Sequence, residues 1–254
     1  MRLSILHIQR GAQSDDGPDP GAVDTFVRSL VEQEVQPVGV VDLLCGTICA
    51  DGRPRVLITT TETRLDPLST LLNTLSSHGF SLLVAVDHAA LESGERDTLE
   101  TADLPALLGA GGVIAARGKP GAPLVGLSPG TTRQQLEESR RQLADAAGYP
   151  IQWLFPAPNS LGRAADRLVL DEANRVGFHH CLVPRPGRTN ELEGASDPLE
   201  LGYHVWGPSD TPANLAKWAA GNLLGRGATG LTSLLDAPSR ILRRFGHQSQ
   251  RPKD

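Results

Sequence analysis

The sequence predicts a parallel α/β fold, expected as a closed or nearly closed β/α barrel, with an open doubly wound sheet as the alternative. Three observations carry this expectation. Short apolar runs alternate about seven times with segments of helical periodicity, and no composition break separates them. Phe80 to Val86 is an uninterrupted apolar run, as a strand covered on both faces requires. The 254 residues, 39% of them hydrophobic, suffice for one large domain with a sizeable core.

Taken in order, Leu3 to Ile8 reads as a strand and Gln13 to Pro20 as a loop. Pro20 opens a helix at a position where its missing N–H costs nothing, and Val23, Phe26, Val27, Leu30 and Val31 give it one apolar face. Val38 to Leu44 reads as extended, and Cys45 to Pro54 as a connection into the strand Val56 to Ile58. A helix from Pro67 follows, with Leu68, Leu71, Leu72 and Leu75 as its stripe and His78-Gly79 as its end. After the Phe80 strand, Asp87 to Asp97 reads as loop, Leu104 to Leu108 as a short helix and Gly111 to Ala116 as a strand. Ser128-Pro129 starts a long helix with Leu136, Leu143 and Ala147 inward, a Glu137–Arg141 ion pair outward, and Gly148 at its end. Strands are expected at Ile151 to Phe155, Phe178 to Val183 and Tyr203 to Trp206, and helices at Leu161 to Val176, Asp210 to Leu224 and Thr232 to Phe245. Pro184 to Pro198 reads as a long polar loop. One domain, 1–254, is expected, with the helix 231–245 and the tail 246–254 peripheral.

Composition excludes several classes. The net charge is −5 and the basic residues are scattered, so no nucleic-acid surface is expected; the Arg-rich tail from Arg240 reads as a solvated helix end. No stretch approaches the roughly 20 apolar residues of a membrane span, and the N-terminal apolar run is too short for a signal peptide. Cys45, Cys49 and Cys181 form neither a disulfide framework nor a zinc cluster, which fits a reducing, cytoplasmic setting.

Chemistry is placed at the carboxyl ends of strands in α/β proteins, which directs attention to Arg55–Asp66. There the apolar run Val56 to Ile58 turns abruptly into Thr59, Thr60, Thr61, Glu62, Thr63 and Arg64.

Order and spacing over nearly the whole chain resemble the polysaccharide deacetylases. Phe26, Leu30 and Pro37 to Leu44 match the family's first helix and the following turn. Ile58-Thr59-Thr60-Thr61-Glu62-Thr63 occupies its L-T-F-D-D-G strand end, and His78-Gly79-Phe80 its H-G-F strand entry. Arg117 to Gly121 stands at its H-x-x-x-H segment, followed by Leu127-Ser128-Pro129 and a charged helix. Phe155 to Ser160 falls on its proline-rich strand end, Val176-Gly177-Phe178 on its A-G-F entry, and Leu199 to His204 on its late strand. The resemblance implies a distorted, seven-stranded (β/α) barrel of the glycoside hydrolase/deacetylase type. It also implies a metal-dependent carbohydrate N-deacetylase, a hydrolase of non-peptide C–N bonds. In that family one Asp is the base, and a second Asp and two His hold a divalent metal that activates water.

The motif positions are substituted here. By the resemblance, the base falls on Thr61, the ligand Asp on Glu62, and the two His on Arg117 and Gly121. Threonine is no general base near neutral pH, and arginine offers a metal no lone pair. At about 4 Å and an effective dielectric of about 20, a guanidinium repels a unit positive charge by roughly 4 kcal/mol. Neither metal nor other cofactor is therefore expected, and a Glu62–Arg117 salt bridge across the barrel mouth is expected in the metal's place.

Other groups have structural roles open to them beside functional ones. Asp66 is a possible displaced carboxylate, but as Asp before Pro it reads as the cap of the helix from Pro67. His204 could face inward or be a satisfied core histidine, and of His179 and His180 at most one could face a site. Asn159, Ser160 and Arg163 could hold sugar hydroxyls or merely cap a helix. Trp153, Trp206 and Trp218 are stacking platforms or core, and aromatics at 4% are too few for a long glycan groove.

Two functions follow. The first is a non-catalytic member of carbohydrate metabolism that binds a sugar, a glycan or a partner through Thr61, Glu62, Arg64, Arg117, Asn159 and Arg163. The alternative is a hydrolase of the amide bond of an acylated sugar, with a site rebuilt around Glu62, Asp66 and His204. A carbohydrate or other small molecule is the expected ligand, a homo-oligomer is possible, and neither nucleic acid nor membrane is an expected partner.

Overall fold

The structure, a computed structural model, describes residues 2–9, 18–48, 51–118, 122–159, 162–192 and 200–221. The helix expected at 232–245, the tail 246–254, Cys49, Gly121 and Ser160 lie outside the described residues.

The strands are β1 (Arg2–Ile8), β2 (Gln36–Pro37), β3 (Arg55–Thr60), β4 (Leu82–Val86), β5 (Gly112–Arg117), β6 (Trp153–Phe155), β7 (His180–Pro184), β8 (Asn190–Glu191) and β9 (Glu200–Val205). The helices are α1 (Pro20–Glu32), α2 (Val40–Cys45), α3 (Leu65–Ser76), α4 (His88–Leu91), α5 (Leu104–Gly109), α6 (Pro129–Ala147), α7 (Arg167–Val176) and α8 (Pro212–Ala219). β3, β4, β5, β6, β7, β9 and β1 pair in that order, all parallel, and the β1–β3 pairing closes a seven-stranded barrel. β2 extends the ladder beside β3, and β8 pairs antiparallel with the start of β1. There the Asn190 amide bridges the seam between β1 and β9. It donates to Leu3 O (3.3 Å) and Gly202 O (2.9 Å) and accepts from Gly202 N (2.7 Å).

The period of two along each strand divides the core into two layers. Leu3, Ile5, Leu57, Leu83, Ala115 and Leu201 fill the barrel, while Leu6, Ile58, Val84, Ile114 and Cys181 face the helices. The end of the barrel at the strands' amino termini is plugged. Leu43 and Ile48 join the inner layer, Trp153 Nε1 donates to Leu43 O (2.6 Å), and the His180 ring lies 4.4 Å from the Trp153 ring. Gly46 completes the plug with φ +64°. A Cβ there would stand 2.6 Å from His179 Nδ1, so both conformation and space demand glycine.

Several expectations need correction. Val38 to Leu44 is mostly helix, because Gly39 N–H is held by the Asp42 carboxylate (3.4 Å) and left-handed Gly46 ends the turn. α3 begins at Leu65 rather than Pro67; proline fits any position of a first turn, where the N–H groups lack helical partners. α7 begins at Arg167, because Asp166 accepts from Val169 N (3.0 Å) and fixes the start there. Asp87 to Asp97 contains α4, started by Asp87 accepting from Ala89 N. Arg141 pairs forward with Asp145 (3.3 Å) rather than back to Glu137.

Candidate functional site at the barrel mouth

The carboxyl ends of all seven strands open on one rim, and strand parity decides which side chains reach its inside. On β1 the inward series Leu3, Ile5 continues to His7, and on β3 Leu57 continues to Thr59. On β5 Val113 and Ala115 lead to Arg117; β6 supplies Phe155 and β9 Tyr203. His7 and Thr59 are register partners, and His7 Nδ1 lies 3.0 Å from Thr59 Oγ1. The His7 ring packs at 4.9 Å from Phe155 and 5.4 Å from Tyr203, which itself stacks on Phe155 at 4.8 Å.

Burial and the Arg117 charge set the protonation of this group. His7 is 3% exposed. Desolvation, then the Arg117 guanidinium, push its pKa down to about 3 against a smaller opposing hydrogen bond to Thr59, so the imidazole is neutral. Burial likewise raises the Tyr203 phenol, and Arg117 works against that rise. Arg117 is half-buried, and its own pKa is lowered by desolvation while the Asp87 charge supports it. No described carboxylate lies within ion-pair distance of its guanidinium. On its outer side Arg117 borders a groove with Asp87, His88, Gln135 and Glu138.

The expected Glu62–Arg117 bridge does not form. Thr60 Oγ1 donates to Ile8 O (2.8 Å) and accepts from Glu62 N (3.0 Å), which sets the Glu62 backbone on the helix side of the rim. There Glu62 lines a crevice with Ile8, Thr60 and Pro67. Its carboxylate takes Arg64 instead: Nε to Oε1 at 3.0 Å, Nη2 to Oε2 at 2.9 Å, and Arg64 N to Oε1 at 2.9 Å. Burial works to raise the Glu62 pKa, but these bonds outweigh it and hold the carboxyl below its ordinary range.

The other candidates are engaged separately. Asp66 does not cap α3; Arg64 holds the cap position and Asp66 is exposed in the first turn. His204 is a satisfied core histidine on the outer face of β9, 5.2 Å from the Trp218 ring. It accepts from Gly187 N at Nδ1 (3.2 Å), so its proton sits on Nε2 and points to Asp210 Oδ2 (3.0 Å). Glu62, Asp66 and His204 thus share no hydrogen bond or ion pair. Asn159 and Arg163 close a loop on themselves, with Arg163 N donating to Asn159 Oδ1 (2.9 Å), and the Arg163 side chain is exposed. Thr61 is half-buried just past β3. Trp153, Trp206 and Trp218 are all buried and offer no open platform. His180 faces the plugged end, away from the rim.

Thr59 lies in the stretch the sequence singles out, whereas His7, Asp87, Phe155 and Tyr203 do not figure as site residues in the sequence reading. For His7 the signal was present: counting inward positions by twos from Leu3 reaches it at the last turn of the strand. Among the described residues, no three His, Cys, Asp or Glu side chains gather where they could share a metal ion, and no helix is long and apolar enough to cross a membrane.

No family model matches the sequence, and no curated protein matches it. Solved structures do. The chain is similar to the Streptococcus pyogenes deacetylase PplD, solved with acetate, at 14% identity and a TM-score of 0.69, over 86% of this chain and 98% of that one. It is similar to a Bacillus cereus polysaccharide deacetylase at 12% identity and a TM-score of 0.67, over 86% and 69% of the two chains. It is also similar to IcaB from Ammonifex degensii at 17% identity and a TM-score of 0.66, over 86% and 97%. The barrel is that of the polysaccharide deacetylases; at these identities the likeness is one of fold.

Proposed function

We propose that this barrel, built on the polysaccharide-deacetylase fold, works in carbohydrate metabolism by binding a sugar or glycan at its mouth, without metal-dependent deacetylation. The observation that carries the reading is Arg117 on the inner rim among His7, Thr59 and Tyr203. This donor set does not fit a divalent ion. It offers one neutral imidazole, hydroxyls, a phenol and a cation that has no lone pair and repels other cations. It does fit a polyhydroxylated ligand, which needs donors and acceptors around a partly apolar floor. An amide hydrolase built on Glu62, Asp66 and His204 lacks support, because each of the three is committed to, or exposed in, a different place. The free cysteines Cys45 and Cys181 are in keeping with a reducing, cytoplasmic setting.

The test combines metal analysis of the purified chain with acetate release from N-acetylated chitooligosaccharides, with and without chelator, and sugar titration by calorimetry. Saturable sugar binding with no chelator-sensitive acetate release is expected. Stoichiometric zinc, or acetate release abolished by chelator, would overturn the reading.

A further inference from the structure

The charge balance of the mouth narrows the ligand. Arg117 ends β5 on the inward face, half-buried, with no described carboxylate in ion-pair reach. Leaving a guanidinium partly desolvated and unpaired is costly, and an anion supplied from outside would relieve that cost. The groups around it cannot do so. His7 is neutral and holds Thr59 through Nδ1; its other ring nitrogen has no partner among the described residues. Tyr203 is a neutral phenol whose hydroxyl likewise has none. Asp87 acts on Arg117 at a distance, but its carboxylate is turned to Ala89 N (3.3 Å) as the cap of α4.

We propose that the mouth receives the carboxylate of an acidic sugar, a uronic acid, with Arg117 gripping the carboxylate and His7 and Tyr203 hydrogen-bonding the same residue. A guanidinium presents two parallel N–H groups that match the two oxygens of a carboxylate. One described cation with Asp87 nearby suits a single negative charge. A phosphate monoester, at about −1.5 to −2 near neutral pH, would meet the repulsion of Asp87 more strongly than a carboxylate would. The hydroxyl of Tyr203 complements a ring rich in hydroxyls. This inference rests on the sugar-binding reading above and specifies its ligand.

The full chain is titrated calorimetrically with D-glucuronate, D-glucose, N-acetylchitotriose, sodium acetate and inorganic phosphate. Glucuronate is expected to bind about tenfold or more tightly than glucose, the worth of one charge-assisted contact, and severalfold more tightly than acetate or phosphate, which lack the ring hydroxyls that His7 and Tyr203 would bond. Arg117→Met is expected to bring glucuronate down to the glucose level. Tyr203→Phe, which removes only a hydroxyl, is expected to weaken glucuronate severalfold, with thermal unfolding confirming that both variants fold. Glucose or chitotriose binding as tightly as glucuronate would overturn the uronate inference and leave the sugar-binding reading standing. Acetate or phosphate matching glucuronate would overturn it as well, as would an Arg117→Met chain that still prefers glucuronate. If no sugar bound at all, both readings would fall together.

Discussion

Removing the Asp210 carboxylate tests whether His204 belongs to a site or to the scaffold. Asp210 Oδ2 accepts from His204 Nε2 (3.0 Å) and from Gly207 N (2.8 Å), and His204 is pinned from its other side by Gly187 N–H. The side chains are 4% exposed for His204 and 16% for Asp210. Asp210→Ala therefore strips two bonds to a charged acceptor and strands the buried imidazole N–H. At about 1.5–3 kcal/mol per such bond, reduced by the solvent that reaches Asp210, a loss of about 2–4 kcal/mol is expected. Asp210→Asn keeps an acceptor oxygen and is expected to lose about 1 kcal/mol. Urea unfolding followed by tryptophan fluorescence reads this directly. With a slope of about 2–3 kcal/mol per molar for a barrel of this size, the Ala variant should unfold about 1 M earlier. The pH dependence has a definite sign. Burial raises the Asp210 pKa, but the His204 and Gly207 bonds outweigh it, so the folded value lies below the ordinary one. The stability from this carboxylate is thus present above the unfolded pKa of about 3.9 and is lost as pH falls through the lower folded value. The gap between wild type and Asp210→Asn should shrink in that acid range. Sugar binding at the mouth should be unchanged in the folded variants. Equal urea midpoints for wild type and Asp210→Ala, or loss of sugar binding without loss of stability, would refute a scaffold role.

Asn190→Ala should destabilise by about 2–3 kcal/mol in the same assay, since three seam hydrogen bonds of about 1 kcal/mol each disappear. Brief alkylation of the native protein followed by peptide mapping should modify exposed Cys45 and spare Cys181, whose thiol is buried and pushed well above its ordinary pKa, first by desolvation and then by the Glu200 charge. Labelling of Cys181 without denaturant would show that the layer between barrel and helices opens.

Much of the barrel was legible because its strands are apolar runs and parallel strands must be covered on both faces. Where reading failed, the element was short. Val40 to Cys45 is an apolar stretch too brief for periodicity to separate strand from helix. The deciding groups were Asp42, reaching back to Gly39 N, and Gly46, whose left-handed turn ends the helix. The site failed differently. Matching motif positions named Glu62 and Arg117, but a motif position does not say which side of the rim a residue takes. Thr60 settles that for Glu62, since its hydroxyl ties residue 62 to the helix side. Arg64, two residues away, then reaches the carboxylate before any group across the barrel can.

The inner rim follows from parity once the strands are placed, and parity separates the two carboxylate questions. Glu62 lies outside the inner series, so its charge is spent on Arg64 and its presence says nothing about an ion inside the barrel. Arg117 lies inside that series, where its charge adds to the larger effect of burial on His7 and opposes that of burial on Tyr203. A neutral imidazole is the expected companion of such a guanidinium, because a second cation in the same desolvated space would be repelled. Among the described residues, Arg117 and His7 therefore place a positive charge beside a neutral ring, which disfavours a cation next to them. That sign preference applies to any small molecule entering the barrel, before its shape is considered.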